Sequence, residues 1–229
     1  MFFIEKRTFK NSRDLTLSAI FEGEDRNNPT VVMCHGFESS KEGTTRLLAE
    51  KVIKKGFNVF RFDFTGHGES EGMIEDIGPL EGFDDLKSAI KAFKLKDFGL
   101  YGSSFGGFVA LLYAIEKPLL ALALKAPVSN YHEVQRSNQA WLRTWANFFT
   151  DISENKIYKN AKNIICPVLI IHGDKDDVVS FSQSQRLIKS LGSKEKRLVI
   201  MKNMNHDIQS KDLEKTTGLI ADFFNQTLL

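Results

Sequence analysis

The stretch "GLYGSSFGGFVALLYA", residues 99–114, sets two adjacent serines between glycines. A hydroxyl lifted above a sheet edge on a sharp strand-to-helix turn needs small residues two before and two after it, because larger side chains collide in so tight a bend. Ser104 meets that rule, with Gly102 and Gly106 in those places, whereas Ser103 is flanked by Tyr101 and Phe105. Ser103 is read as a neighbour that supports the turn. "FGLYG" ahead of Ser104 reads as a strand and "FGGFVALLYAIEK" behind it has the apolar spacing of a helix, so the GxSxG pattern stands in the context its chemistry requires.

A serine hydroxyl is a poor nucleophile at neutral pH and needs a base within hydrogen-bond reach, with a carboxylate to orient that base. The chain has five histidines. His35 and His172 sit at strand ends before glycines, His67 in the glycine-bounded loop "FTGHGES", and His132 in a segment that interrupts the strand-helix alternation. His206, in "MKNMNHDIQS", follows the last strand and precedes the last helix, where a base can hang over the carboxyl edge of a sheet. For the acid, "VLIIHGDKDDVVS" offers Asp174, Asp176 and Asp177 after the penultimate strand. The spacing from Gly173 to Val179 favours Asp176, with Asp174 as the alternative; Asp174 and Asp177 also suit turn and helix capping. The candidate order is Ser104, Asp176, His206, one of three unrelated orders in which this triad of side chains occurs.

The elements that must position these residues follow from periodicity. Short apolar runs, "TVVMC" (30–34), "NVFRFDF" (58–64), "FGLYG" (98–102), "LLALALKA" (119–126), "PVLIIHG" (167–173) and "RLVIM" (197–201), alternate with helical patterns near 41–56, 80–94, 105–116, 181–191 and 212–227. That alternation predicts an α/β fold, a mostly parallel sheet covered by helices. "FFIEKRTF" and "LTLSAIF" predict an antiparallel pair joined by a polar turn at 10–14. Between Ala126 and Pro167 lie about 40 residues where one crossover needs roughly a dozen, so something extra is inserted there. No repeat or linker-like tract divides the chain, and a single domain over 1–229 is expected.

The motifs "HGFESSKEG", "FRFDFTGHGESEG", "GSSFGG", "HGDKDDVV" and "NMNHD", with the Ser, Asp, His order, resemble the α/β-hydrolase superfamily over essentially the whole chain. Within it the chain is similar to small bacterial carboxylesterases, including the cinnamoyl (feruloyl) esterase and monoacylglycerol lipase-like group. It departs from many relatives in having Ser103 where they have His, and Ser180 where they have Pro. The resemblance implies an eight-stranded, mostly parallel sheet with the second strand antiparallel, and a short helical lid inserted after the sixth strand, here at about 128–160. It also implies an oxyanion hole from the backbone N–H groups of Phe105, after the nucleophile, and Phe37, in "HGF". His67 is read as structural. Trp141, Trp145 and Phe148 or Phe149 recur at helical spacing in the lid segment, either walling a substrate pocket or burying the lid's own apolar face.

The expected reaction is hydrolysis of short to medium acyl or aryl esters through an acyl-enzyme on Ser104. Peptidase or thioesterase action with the same triad, and a ligand-binding protein of this fold with little turnover, are the alternatives. No cofactor or metal is called for: the histidines and acids show neither HExxH nor related zinc spacing, and "GSSFGG" lacks the Lys of a phosphate loop. With 31 Lys plus Arg against 29 Asp plus Glu, the net charge is +2 and the basic residues are scattered, which argues against a nucleic-acid or anionic-lipid partner. The expected partner is a small-molecule ester, and a homodimer is left open. Cys34 and Cys166 lie beside apolar runs and read as buried thiols. The opening "MFFIEKRTFKN" has no secretory-signal pattern and no apolar run reaches about 18 residues, so a cytoplasmic location is expected.

Overall fold

The computed structural model describes residues 2–134, 156–207 and 210–229. Its eight strands are β1 (Phe3–Lys10), β2 (Thr16–Gly23), β3 (Thr30–Cys34), β4 (Asn58–Phe62), β5 (Gly99–Ser103), β6 (Ala121–Lys125), β7 (Val168–Gly173) and β8 (Lys196–Met201). They form one sheet in the order β1-β2-β4-β3-β5-β6-β7-β8. β2 runs antiparallel to both of its neighbours, and β4, β3, β5, β6, β7 and β8 run parallel. The expected sheet and its antiparallel second strand are both present.

The parallel centre is covered on both faces, which is why β3, β5, β6 and β7 are near-continuous apolar runs. Alternate residues serve opposite faces. Val32, Leu100, Leu122 and Ile170 enter one core with α2 (Pro79–Ala92), α3 (Phe105–Glu116) and α5 (Phe181–Ser190). Val31, Tyr101, Ala123 and Ile171 enter the other with α1 (Thr44–Ile53) and α6 (Ser210–Leu228). Helix α2 starts as its sequence dictates: Pro79 sits in the first turn, and the Glu81 carboxylate accepts the Gly78 N–H at 3.0 Å.

Between β6 and β7 the described chain holds a 3₁₀ turn at Tyr131–Glu133, the short helix α4 (Lys156–Asn160) and a second 3₁₀ turn at Ala161–Asn163. The expected lid falls mostly on 135–155, outside the described residues, and Trp141, Trp145, Phe148 and Phe149 fall there with it. Among the described residues no helix is long and apolar enough to cross a membrane.

Candidate active site

β5 ends at Ser103, α3 begins at Phe105, and Ser104 makes the whole turn between them at φ 51°, ψ −112°. A left-handed backbone at a residue with a Cβ is strained, and here the surroundings leave no alternative. A methyl on Gly102 would lie 2.4 Å from the Gly106 carbonyl oxygen, and one on Gly106 would lie 2.4 Å from the carbonyl oxygen of His35 and 2.5 Å from that of Cys34. Those contacts are all with backbone, so the two flanking glycines are obligatory. The Ser104 N–H is held by the Lys125 carbonyl on β6 at 3.0 Å.

The other two candidates come from the ends of β7 and β8, beyond β6. The loop after β7 carries Asp176, whose Oδ1 accepts the N–H groups of Val178 and Val179 at 3.0 and 2.8 Å. The loop after β8 carries His206, whose Nδ1 lies 2.8 Å from Asp176 Oδ2 and whose Nε2 lies 3.0 Å from Ser104 Oγ. The structure therefore brings Ser104, His206 and Asp176 into one hydrogen-bonded series. Asp174 points elsewhere and accepts the Asn203 N–H at 2.7 Å, while the Asp177 N–H is capped by Asn205 Oδ1 at 3.1 Å. These contacts tie the acid loop to the histidine loop.

Burial works against the Asp176 carboxylate, but hydrogen bonds from His172 and His206 and from backbone amides outweigh it and hold the carboxyl well below its usual range. His206 is lowered as well, chiefly by burial and further by the Lys125 ammonium, against the raising influence of Asp176. At neutral pH the pair is thus a carboxylate and a neutral imidazole. With Nδ1–H directed at the carboxylate, Nε2 offers its lone pair to the Ser104 hydroxyl. Such a series can draw the proton from an attacking hydroxyl.

Beside the elbow runs the loop after β3. A methyl on Gly36 would stand 3.6 Å from Ser104 Cβ. Phe37 packs edge-on against Phe105, with ring centroids 6.1 Å apart, and Phe105 is buried against Phe64. Both residues expected for the oxyanion hole therefore flank Ser104. Two neutral imidazoles fix this loop to the one after β4. His35 Nε2 accepts the Phe64 N–H at 3.1 Å and its Nδ1 faces the Gly36 carbonyl at 2.7 Å; burial pushes its pKa down to about 4. His67 Nε2 accepts the Glu38 N–H at 3.1 Å and its Nδ1 faces the Thr65 carbonyl at 2.9 Å, with burial again lowering its pKa.

Three side chains here were not singled out by sequence. Lys125 ends β6 fully enclosed and donates from Nζ to the His206 carbonyl. His172 lies beneath Asp176, and Lys41 is buried between Asp63 and Glu69. A lysine closing the otherwise apolar run "LLALALKA" is the one signal that could have marked the first.

This strand order, with a serine elbow after the fifth strand, is the α/β-hydrolase architecture. More narrowly, the chain belongs to the Hydrolase_4 family, described as serine aminopeptidase, S33, which matches residues 25–156 and 144–213. It is 24% identical over 226 residues to the palmitoyl-protein thioesterase ABHD10, mitochondrial, of Bos taurus, across 87% of this chain and 74% of that protein. It is 32% identical over 178 residues to the lysophosphatidylserine lipase ABHD12 of Danio rerio, across 70% of this chain but only 47% of the lipase. In fold it is similar to Est1E from Butyrivibrio proteoclasticus, solved with ferulic acid bound: the TM-score is 0.84 at 21% identity, over 97% of this chain and 99% of the other.

Proposed function

We propose that the protein is a serine-dependent carboxylic ester hydrolase. The observation that carries this reading is the unbroken series from Ser104 Oγ through the His206 imidazole to the Asp176 carboxylate, with contacts of 3.0 and 2.8 Å, built on a strained elbow. Ser104 Oγ attacks the ester carbonyl carbon while its proton passes to His206 Nε2, and Asp176 stays ionised to stabilise the imidazolium. The carbonyl oxygen, now anionic, is received by the N–H groups of Phe37 and Phe105, each such donor contributing about 3–4 kcal/mol to the transition state. Phe105 opens the 12-residue helix α3, whose dipole also favours negative charge there. Collapse of the intermediate breaks the bond to the leaving alcohol, which takes the proton from His206. Water then attacks the acyl carbon, giving a proton to His206, and collapse breaks the bond to Ser104 Oγ, which takes that proton back as the acid leaves.

The substrate class proposed is short to medium acyl or aryl esters, with Trp141 and Trp145 of the 128–160 segment, read as a lid, against the acyl or aryl group. Thioester cleavage is the second reading, favoured by the similarity to a palmitoyl-protein thioesterase, because the same oxyanion site serves both acyl groups.

A fluorophosphonate probe tests the chemistry: it labels the wild type and fails on Ser104→Ala, which also loses hydrolysis of p-nitrophenyl butyrate. Wild-type turnover by Ser104→Ala sinks the proposal. A panel of p-nitrophenyl esters from acetate to palmitate, with methyl ferulate, an acyl-thioester and an aminoacyl arylamide, identifies the acyl group. Thermal stabilisation by an ester with no turnover across that panel would instead favour a binding protein.

A further inference from the structure

Lys125 is the last residue of β6, the strand beside the one that delivers Ser104. Two-residue alternation turns it to the same face as Ala121 and Ala123, the face covered by α1 and α6. It is only 4% exposed, unusual for a lysine, whose ammonium is costly to take out of water. Both ends of the residue are engaged with the candidate site. Its carbonyl accepts the Ser104 N–H at 3.0 Å, and its Nζ reaches the carbonyl of His206, 81 positions along the chain.

The backbone around Lys125 is fixed. The next residue, Ala126, is held at φ 43°, and its N–H donates to the Ile171 carbonyl on β7 at 2.8 Å. Pro127 then closes against the helix that follows the elbow, since a methyl on Gly107 would lie 2.8 Å from Pro127 Cβ. A strained non-glycine residue, kept where the chain leaves the sheet, marks a position determined by its surroundings. The point from which the Lys125 side chain starts is therefore fixed.

We propose that Lys125 is a positioning residue that holds His206 over Ser104, its carbonyl gripping the elbow and its ammonium gripping the histidine loop. This rests on the catalytic reading of Ser104 and His206 given above. The geometry explains how a base carried on a loop after the last strand keeps a 3.0 Å contact with a serine from the middle of the sheet. The ammonium has a second effect: burial is the main influence that lowers the His206 pKa, and the lysine's charge adds to it, favouring the neutral imidazole that accepts a proton. The charged groups that bear on the ammonium are Asp176 from the loop after β7 and Asp207 from the loop after β8. From β5, Tyr101 shares this face, and burial raises its pKa to about 12, so it remains neutral. Burial lowers the lysine itself to about 8, with the two aspartates opposing that drop, so the charge is present through the neutral range.

The test is Lys125→Met, close in shape but without donor or charge, assayed with p-nitrophenyl acetate from pH 4.5 to 8. Loss of the grip lowers kcat roughly 10- to 100-fold with KM little changed. Loss of the charge moves the acid limb of kcat/KM to higher pH, whereas Lys125→Arg, which keeps both donor and charge, leaves the limb where the wild type has it. Lys125→Gln, polar but uncharged, shifts the acid limb in the same direction and serves if the methionine variant does not fold. A wild-type kcat, or a lowered kcat with an unmoved acid limb, overturns the proposal. So does failure of both variants to fold, which would make Lys125 a folding residue. Fluorophosphonate labelling separates this inference from the reading beneath it. Absence of labelling on the wild type removes the reading, whereas a labelled wild type with indifferent Lys125 variants removes the inference alone.

Discussion

The Nε2 of His172 lies 3.2 Å from the Oδ2 of Asp176, the same carboxylate oxygen that faces His206. His172 Nε2 is also 2.9 Å from the Val179 carbonyl. Both neighbours are acceptors, so Nε2 carries the proton and Nδ1 accepts the Ser184 hydroxyl at 2.7 Å. Asp176 is therefore held by a second imidazole besides that of His206.

That arrangement predicts graded losses. Asp176→Asn removes the group that orients and stabilises His206, and kcat falls roughly 10⁴-fold. His172→Phe keeps the volume but takes one donor from a carboxylate that still accepts from His206, Val178 and Val179, so kcat falls about tenfold. Steady-state rates on one ester decide it; a His172→Phe variant as slow as Asp176→Asn would mean that His172 is itself indispensable to the chemistry.

Acid should weaken the fold in a defined window, and His35 is the main reason. Its pKa drops from the ordinary 6.5 to about 4 on burial, so between those values the unfolded chain binds a proton that the folded chain refuses. Stability then rises with pH through the window and falls as pH is lowered from 6.5 toward 4; below 4 both states carry the proton and the effect stops growing. Complete expression of the shift amounts to roughly 3 kcal/mol, and His67, lowered in the same direction by burial, adds to it. Urea unfolding at pH 7, 6, 5 and 4.5 measures the slope. An unfolding free energy that does not change over that range contradicts the neutral-imidazole assignment of the loop.

What could be read from the chain and what could not divide along a physical line. Ser104 was legible because its requirements are local: Gly102, Gly106, a strand before and a helix after. His206 and Asp176 were legible because a parallel sheet delivers successive strand ends to one edge, so chain order stands in for position. β4 was read to residue 64 but ends at Phe62; the Asp63 N–H still reaches the Ser18 carbonyl on β2 at 2.9 Å, while its carboxylate accepts the Lys41 N–H. That partnership spans 22 positions, and the one between Lys125 and His206 spans 81. Periodicity does not reach across such separations, and buried charges look like surface charges until their partners are known. The short helix at Lys156–Asn160 lies inside the segment expected to be helical, but its bounds could not be read, since a helix of five residues has too few turns to show a period.

Two glycines supply opposite predictions. At Gly106 a methyl meets two carbonyl oxygens at 2.4 and 2.5 Å, so Gly106→Ala forces the elbow away from β3, at roughly 3 kcal/mol or more, and abolishes labelling of Ser104. Gly218 lies within α6 with open space where a methyl would go. Gly218→Ala removes backbone freedom from the unfolded chain and gains about 0.5–1 kcal/mol. Thermal melts of the two variants check both signs, and a Gly218→Ala variant that melts below wild type would refute the open-space argument.

Lys41 offers the sharpest test of how the loop beside the elbow is anchored. Its Nζ bridges Asp63 Oδ2 and Glu69 Oε2, each at 2.6 Å, and its N–H donates to Asp63 Oδ1 at 2.7 Å. Lys41 and Asp63 are almost wholly enclosed, at 1% and 0% side-chain exposure, while Glu69 reaches solvent. Lys41→Met leaves the Asp63 charge buried without its counter-ion, which costs about 3–5 kcal/mol. Asp63 keeps the N–H groups of Lys41 and Glu69, which favours the lower end of that range. Adding Asp63→Asn removes the stranded charge and recovers part of the loss, so the two substitutions are non-additive. Urea unfolding of the single and double variants measures the coupling. A single variant within about 1 kcal/mol of wild type would place the pair with exposed ion pairs. A large loss with partial recovery would show that the stretch from Gly36 to Lys41 is anchored by charge as well as by the two imidazoles.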